Sequence, residues 1–247
     1  MNRPLVSPSP PSSPLFGSAP WLTIIAGHYG VGKTNLALNV ARDLRAVLPR
    51  VTLIDLDIVN PYFRSTDNRA FLEAHKIEVL GPVFGASNLD TPSLSPGIAE
   101  AMFEAGPERV VLVDVGGDPD GARALGRFSP TITERPYRFV FVVNLRRPEA
   151  ATVEDNLKLL RGIEETSGLL VTEILGNTHL KELTTAENVA AAIEPTRALA
   201  DAAGLPFIGV TVPRALTPKL TPLLTDTPPS PSPNPPLHPI DTLVTVP

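Results

Sequence analysis

The chain has 247 residues, 43% hydrophobic and 19% charged, with a formal net charge of −5. That length suits one substantial α/β domain or two small ones, and the acidic balance does not imply a nucleic-acid partner. The chain has no cysteine, which excludes disulfides, thiolate metal sites, iron–sulfur clusters and a cysteine nucleophile and fits a cytoplasmic protein.

No apolar run approaches the ~20 residues that span a bilayer. The opening segment, MNRPLVSPSPPSSPLFGSAP, has one arginine and no apolar core segment, so it does not read as a secretory signal. Residues 1–20 hold six of the 29 prolines and residues 213–247 hold eleven. Such Pro- and Ser-rich ends favour extended or disordered chain. The expected organisation is a Pro/Ser-rich tail over 1–20, one ordered domain over 21–212 and a Pro-rich tail over 213–247.

Within that domain, near-continuous apolar runs alternate with amphipathic segments. Strands are expected at 21–27, 51–57, 77–80, 109–115, 138–144, 169–177 and 206–212, each reading as a strand covered on both faces. Leu36, Val40, Leu44 and Val47 share one helix face, as do Val153, Leu157 and Leu160. Thr184–Glu187 reads as a capping box, and Pro195 should kink or restart the helix that follows. The alternation predicts an α/β fold with a doubly wound, mostly parallel sheet of about seven strands.

Residues 27–34, GHYGVGKT, match G-x-x-x-x-G-K-[ST] between a predicted strand and a predicted helix, the context that a phosphate loop of the P-loop NTPase fold requires. Gly27, Gly30 and Gly32 can take backbone angles that turn successive N–H groups inward, with Val31 between them. Those amides and the start of the next helix, through Asn35, favour phosphate oxygens. Lys33 is expected to reach the β- and γ-phosphates and the Thr34 hydroxyl to bind Mg²⁺.

Such a loop needs carboxylates. Asp114 ends the run RVVLVD and begins D-x-x-G, so it is a candidate Mg²⁺ ligand, with the Gly117 amide placed to sense the γ-phosphate. Asp55 and Asp57 end another strand, in LIDLDIVNPYFR. Asp57 is the candidate for metal binding and for positioning the attacking water, Asp55 for a structural or outer metal role, and Asp118 is a weaker alternative for the water. Asn60–Arg64 would lie near the γ-phosphate; Arg64 reads equally as a phosphate contact, a partner contact or a surface residue. After the run VTEILG comes Asn177-Thr178-His179-Leu180, where many P-loop GTPases carry N-K-x-D. Asn177 reads either as a base contact or as a strand-end cap. With Leu180 at the aspartate's place, the acceptor for guanine's donors is missing, which favours ATP over GTP.

On GHYGVGKT, LIDLDIVNPYFR and DVGGD, the stretch 21–212 resembles the MinD/ParA-type P-loop ATPases, the group that includes the nitrogenase iron protein, arsenical pump ATPases and the CobQ/CobB enzymes. The resemblance implies Mg²⁺-ATP binding, slow hydrolysis and often a nucleotide-sandwich homodimer, with catalytic roles on Lys33, Asp57 and Asp114. The chain departs from the family at His28, where a second lysine is usual; a mostly neutral imidazole is a poor replacement for an ammonium. Lack of cysteine removes electron transfer through a cluster and glutamine hydrolysis, and the prolines of the tail rule out a terminal membrane-docking helix there. Three readings follow: a nucleotide-driven switch in which segments 57–66 and 114–121 order around ATP for a partner protein or second subunit; a small-molecule kinase or ligase using segment 84–97 or Arg146 and Arg147 to hold an anionic acceptor; or, given the missing second lysine, a nucleotide-binding interaction protein without useful turnover.

Overall fold

A computed structural model of the chain describes residues 12–13, 17–18, 20–57, 68–81, 96–117, 119–225 and 233–244. Asn60, Arg64, Asp118 and most of segment 84–97 lie outside them.

The strands of the main sheet are β1 (Leu22–Gly27), β2 (Val51–Leu56), β3 (Glu78–Leu80), β4 (Val110–Val115), β5 (Arg138–Val143), β6 (Glu173–Gly176), β7 (Phe207–Pro213) and β8 (Leu237–Ile240). They form one all-parallel sheet in the order β8-β7-β6-β5-β1-β4-β2-β3. The helices are α1 (Lys33–Arg45), α2 (Arg69–Ala74), α3 (Pro96–Phe103), α4 (Pro119–Gly126), α5 (Ser129–Thr133), α6 (Val153–Ser167), α7 (Ala186–Ala191), α8 (Ile193–Ala203) and α9 (Thr217–Thr225).

Both faces of the sheet are covered, which is why the strands lack polar alternation. Leu22, Ile24 and Ala26 of β1 join α3, α4, α6 and α8 in one core, whereas Ile25 faces α1 in the other. Leu36, Val40 and Leu44 of α1 fill that second core. Val47 does not follow them: α1 ends at Arg45, and the chain turns away with Val47 exposed. Strand β6 is shorter than its apolar run because Leu169 and Val171 enter the core from the connection before it. The helix start at 184–187 also shifts by one residue. Thr185 is the cap, accepting the Asn188 N–H at 3.2 Å, while the Thr184 hydroxyl turns back to the Lys181 carbonyl. Helix α7 then gives way to α8 two residues before Pro195, which sits in the first turn of α8, where its missing N–H costs nothing.

The eighth strand arises inside the segment expected to be a tail. β8 lies at the sheet edge beside β7, where Pro239 can sit without breaking an inner ladder. The chain then runs back to α1 as a strap, Asp241–Val244. Asn35 Nδ2 and Asn39 Nδ2 donate to the Asp241 carbonyl at 3.0 and 2.8 Å, and Asn39 Oδ1 accepts the Asp241 N–H at 2.9 Å. Asn35 Oδ1 accepts the Leu243 and Val244 N–H groups at 2.7 and 3.2 Å. Hydrogen bonds from Arg214, and then from Arg42, hold the Asp241 carboxyl below the usual carboxylate range despite partial burial. Two asparagines one helical turn apart thus read the backbone of one extended segment. Replacing the fully buried Asn39 by alanine is expected to lower stability by about 2–3 kcal/mol, because the groups it leaves behind lose their partners. The urea unfolding midpoint measures this; a change below about 0.5 kcal/mol would mean the strap is held elsewhere.

Candidate functional site

The loop between β1 and α1 takes the shape that its glycines predict. Gly27, Gly30 and Gly32 have φ of 150°, 70° and 87°. Gly32 caps α1 without a side-chain cap, so the first amides of a thirteen-residue helix face the loop. Amides in this arrangement favour an anion through their N–H groups and the helix dipole. Val31 is buried beneath the loop. Lys33, 7% exposed, folds back so that Nζ donates to the His28 carbonyl at 3.0 Å. His28 itself is half-buried and leans on the Tyr29 carbonyl, with Nδ1 at 3.2 Å.

The carboxylates stand on one side of the loop. Asp55 and Asp114 pair in register across β2 and β4, so both side chains leave the same face of the sheet, and both are buried. The Thr34 hydroxyl donates to Asp114 Oδ2 at 2.7 Å. Asp55 Oδ1 accepts the Asp57 N–H at 3.0 Å, and Asp57, two residues on, is half-buried. Asp55 therefore stands beside Asp114, while Asp57 lies just past the end of β2. Gly117 packs against the loop: a Cβ there would come within 2.5 Å of the Tyr29 nitrogen.

The opposite flank comes from the ends of β5 and β6. Asn177 Nδ2 donates to the Val31 carbonyl at 2.6 Å and its Oδ1 accepts the Thr211 hydroxyl, so both ends of the buried amide engage protein groups. A Cβ on Gly32 would come within 2.5 Å of Asn177 Nδ2 and 3.0 Å of His179 Nε2. Arg147 Nε donates to the Gly30 carbonyl at 2.9 Å, whereas Arg146 is exposed. The Asn35 side chain holds the strap, while its backbone N–H belongs to the first turn of α1, where the sequence places its phosphate contact.

The sequence does not announce the contacts of Arg147 and His179 with the loop, or the turn at Asn144 that joins them. The only local signal is their place just after apolar runs, at the strand ends where ligands bind in open α/β sheets. Burial, and next the charge of Arg147, press the His179 pKa below its ordinary 6.5. The unfolded chain then binds a proton more readily than the folded one. Stability is therefore complete above pH 6.5 and falls as the pH drops below it towards the folded value. Melting temperatures across that range should fall less steeply in His179→Gln; equal slopes would show that another group sets the acid limit.

Together, the sheet order, the glycine loop and the buried lysine and aspartate define a P-loop NTPase fold. No protein-family model matches the chain, and neither does any curated protein. Among solved structures it is similar to chloroplast FtsY from Physcomitrella patens, at 17% identity and a TM-score of 0.51, over 79% of this chain and 59% of that one. It is also similar to the cell division protein FtsY of Thermotoga maritima, at 19% identity and a TM-score of 0.50, over 86% of this chain and 66% of that one. FtsY from Mycoplasma mycoides matches at 14% identity and 0.50, over 80% and 61%. The chain thus spans less than two thirds of these structures, and the likeness is one of fold. Among the described residues, no helix is long and apolar enough to cross a membrane.

Proposed function

We propose that the chain is an Mg²⁺-ATP-binding P-loop ATPase of MinD/ParA type, working as a nucleotide-driven switch with slow hydrolysis. The observation that carries this reading is the 2.7 Å hydrogen bond from Thr34 to Asp114, which joins residues 80 apart into one phosphate-and-metal corner. The donor set suits a hard cation: a hydroxyl and carboxylates, in a chain without cysteine. Thr34 and Asp114 would hold Mg²⁺, with Asp57 beyond them, and the ion would neutralise charge on the phosphate oxygens.

The amides of Gly30, Val31, Gly32, Lys33, Thr34 and Asn35 wrap the phosphates, and Gly27 sets the loop's entry. Lys33 exchanges the His28 carbonyl for a phosphate oxygen. Asp57 orients the attacking water. Gly117, already against the loop backbone, reports the γ-phosphate to the segment after β4. Asn177 keeps the loop in register and offers its remaining N–H to the base. Leu180, which has no carboxylate, supports adenine over guanine. The reader of the switch would be a second copy of the chain or a partner protein. Calorimetry with Mg²⁺-ATP and Mg²⁺-GTP tests the reading: tighter binding of ATP is expected, and no heat from either nucleotide would end it.

A further inference from the structure

Arg147 is built into the loop with a geometry that its sequence position does not suggest. Asn144, fully buried at the end of β5, makes the turn that presents it. Its Oδ1 accepts the Arg146 N–H at 3.1 Å, its Nδ2 donates to the His179 carbonyl at 3.0 Å, and its own carbonyl accepts the Arg147 N–H at 3.1 Å. Arg147 Nε then reaches the Gly30 carbonyl. A Cβ on Gly30 would lie 3.2 Å from Cζ and 3.4 Å from both Nε and Nη2. Three nearly equal distances place that point above the guanidinium plane, so one face of the plane lies flat on the loop. The side chain is only half-buried. Among the described residues, no protein acceptor takes a hydrogen bond from its terminal amino groups.

The strand order decides which end of a nucleotide meets this surface. Asp55 and Asp114 stand on β2 and β4, to one side of β1; Arg147 and His179 follow β5 and β6, on the other. The metal of a P-loop site bridges the β- and γ-phosphates, so the γ end belongs on the β4 side and the nucleoside on the β5 side. We propose that Arg147 is the nucleoside platform of this site, stacking the outer face of its guanidinium on the base while its terminal amino groups face the ribose. A guanidinium plane stacks on π systems as an ammonium cannot. This inference rests on the reading of residues 27–34 as a nucleotide loop.

Calorimetry of wild type, Arg147→Ala and Arg147→Lys with Mg²⁺-ATP, Mg²⁺-ADP and magnesium tripolyphosphate tests it, with melting curves to check that each variant is folded. Both variants should bind ATP and ADP about tenfold more weakly, by the same factor, and tripolyphosphate as wild type does. Lysine keeps the charge and a donor for Gly30 but lacks the plane. Unchanged ATP affinity in Arg147→Ala, full rescue by lysine, or a loss confined to ATP and tripolyphosphate would each overturn the platform. Wild type binding none of the three ligands would instead overturn the nucleotide reading itself.

Discussion

Lys33→Ala should weaken Mg²⁺-ATP binding by about a hundredfold or more, while the empty protein keeps its fold. The ammonium is almost buried, and its Nζ lies 3.0 Å from a carbonyl of the same loop. A bound triphosphate would replace that neutral acceptor with charged oxygens. Charge-assisted hydrogen bonds are worth roughly 1.5–3 kcal/mol each, and two such bonds account for the expected loss. The single-turnover hydrolysis rate should fall with it, because the same charge faces the transferring phosphoryl group. In the empty protein the variant loses the lysine's hydrogen bond to the His28 carbonyl, and its urea midpoint checks that the fold is kept. ATP affinity equal to wild type in folded Lys33→Ala would remove the basis for the phosphate site.

Gly27→Ala should have the largest effect on stability, about 3–5 kcal/mol. Gly27 closes β1 opposite Val142 of β5, and φ there is 150°, a region that L side chains rarely enter. A Cβ would also sit on the Val142 carbonyl oxygen, a backbone atom in the middle of the sheet that cannot swing aside. Strain of about 1–3 kcal/mol thus adds to an overpacking cost of similar size. Nucleotide binding should be lost as a consequence, because β1 delivers the chain into the loop. Equilibrium urea unfolding decides the point: a loss below about 1 kcal/mol would mean that β1 and β5 can separate locally at little cost.

The elements most legible in the sequence are those whose physics is local. The loop 27–34 carries its glycines and its lysine within eight residues, between a strand and a helix of the periods that periodicity predicts. The aspartates at the ends of β2 and β4 are visible because each closes an apolar run. The eighth strand was hidden by its own composition: the prolines around 228–239 argue against packing, yet an edge strand needs hydrogen bonds on one side only. Asn177 shows the other limit. Its motif suggests a base contact or a cap, and only the fold reveals that the amide spans from Val31 to Thr211.

The sequence by itself therefore determined the phosphate loop, its lysine and threonine, and an α/β sheet of parallel strands, because torsional preference and hydrophobic period act between near neighbours. Tertiary structure alone decided that Asp55 stands beside Asp114, that Arg147 lies flat on Gly30, and that Asp241–Val244 is tied to Asn35 and Asn39. Most of these partners lie between 59 and 208 residues apart. Their meeting depends on strand order and on which loops the sheet brings to one end, and no local preference encodes that order.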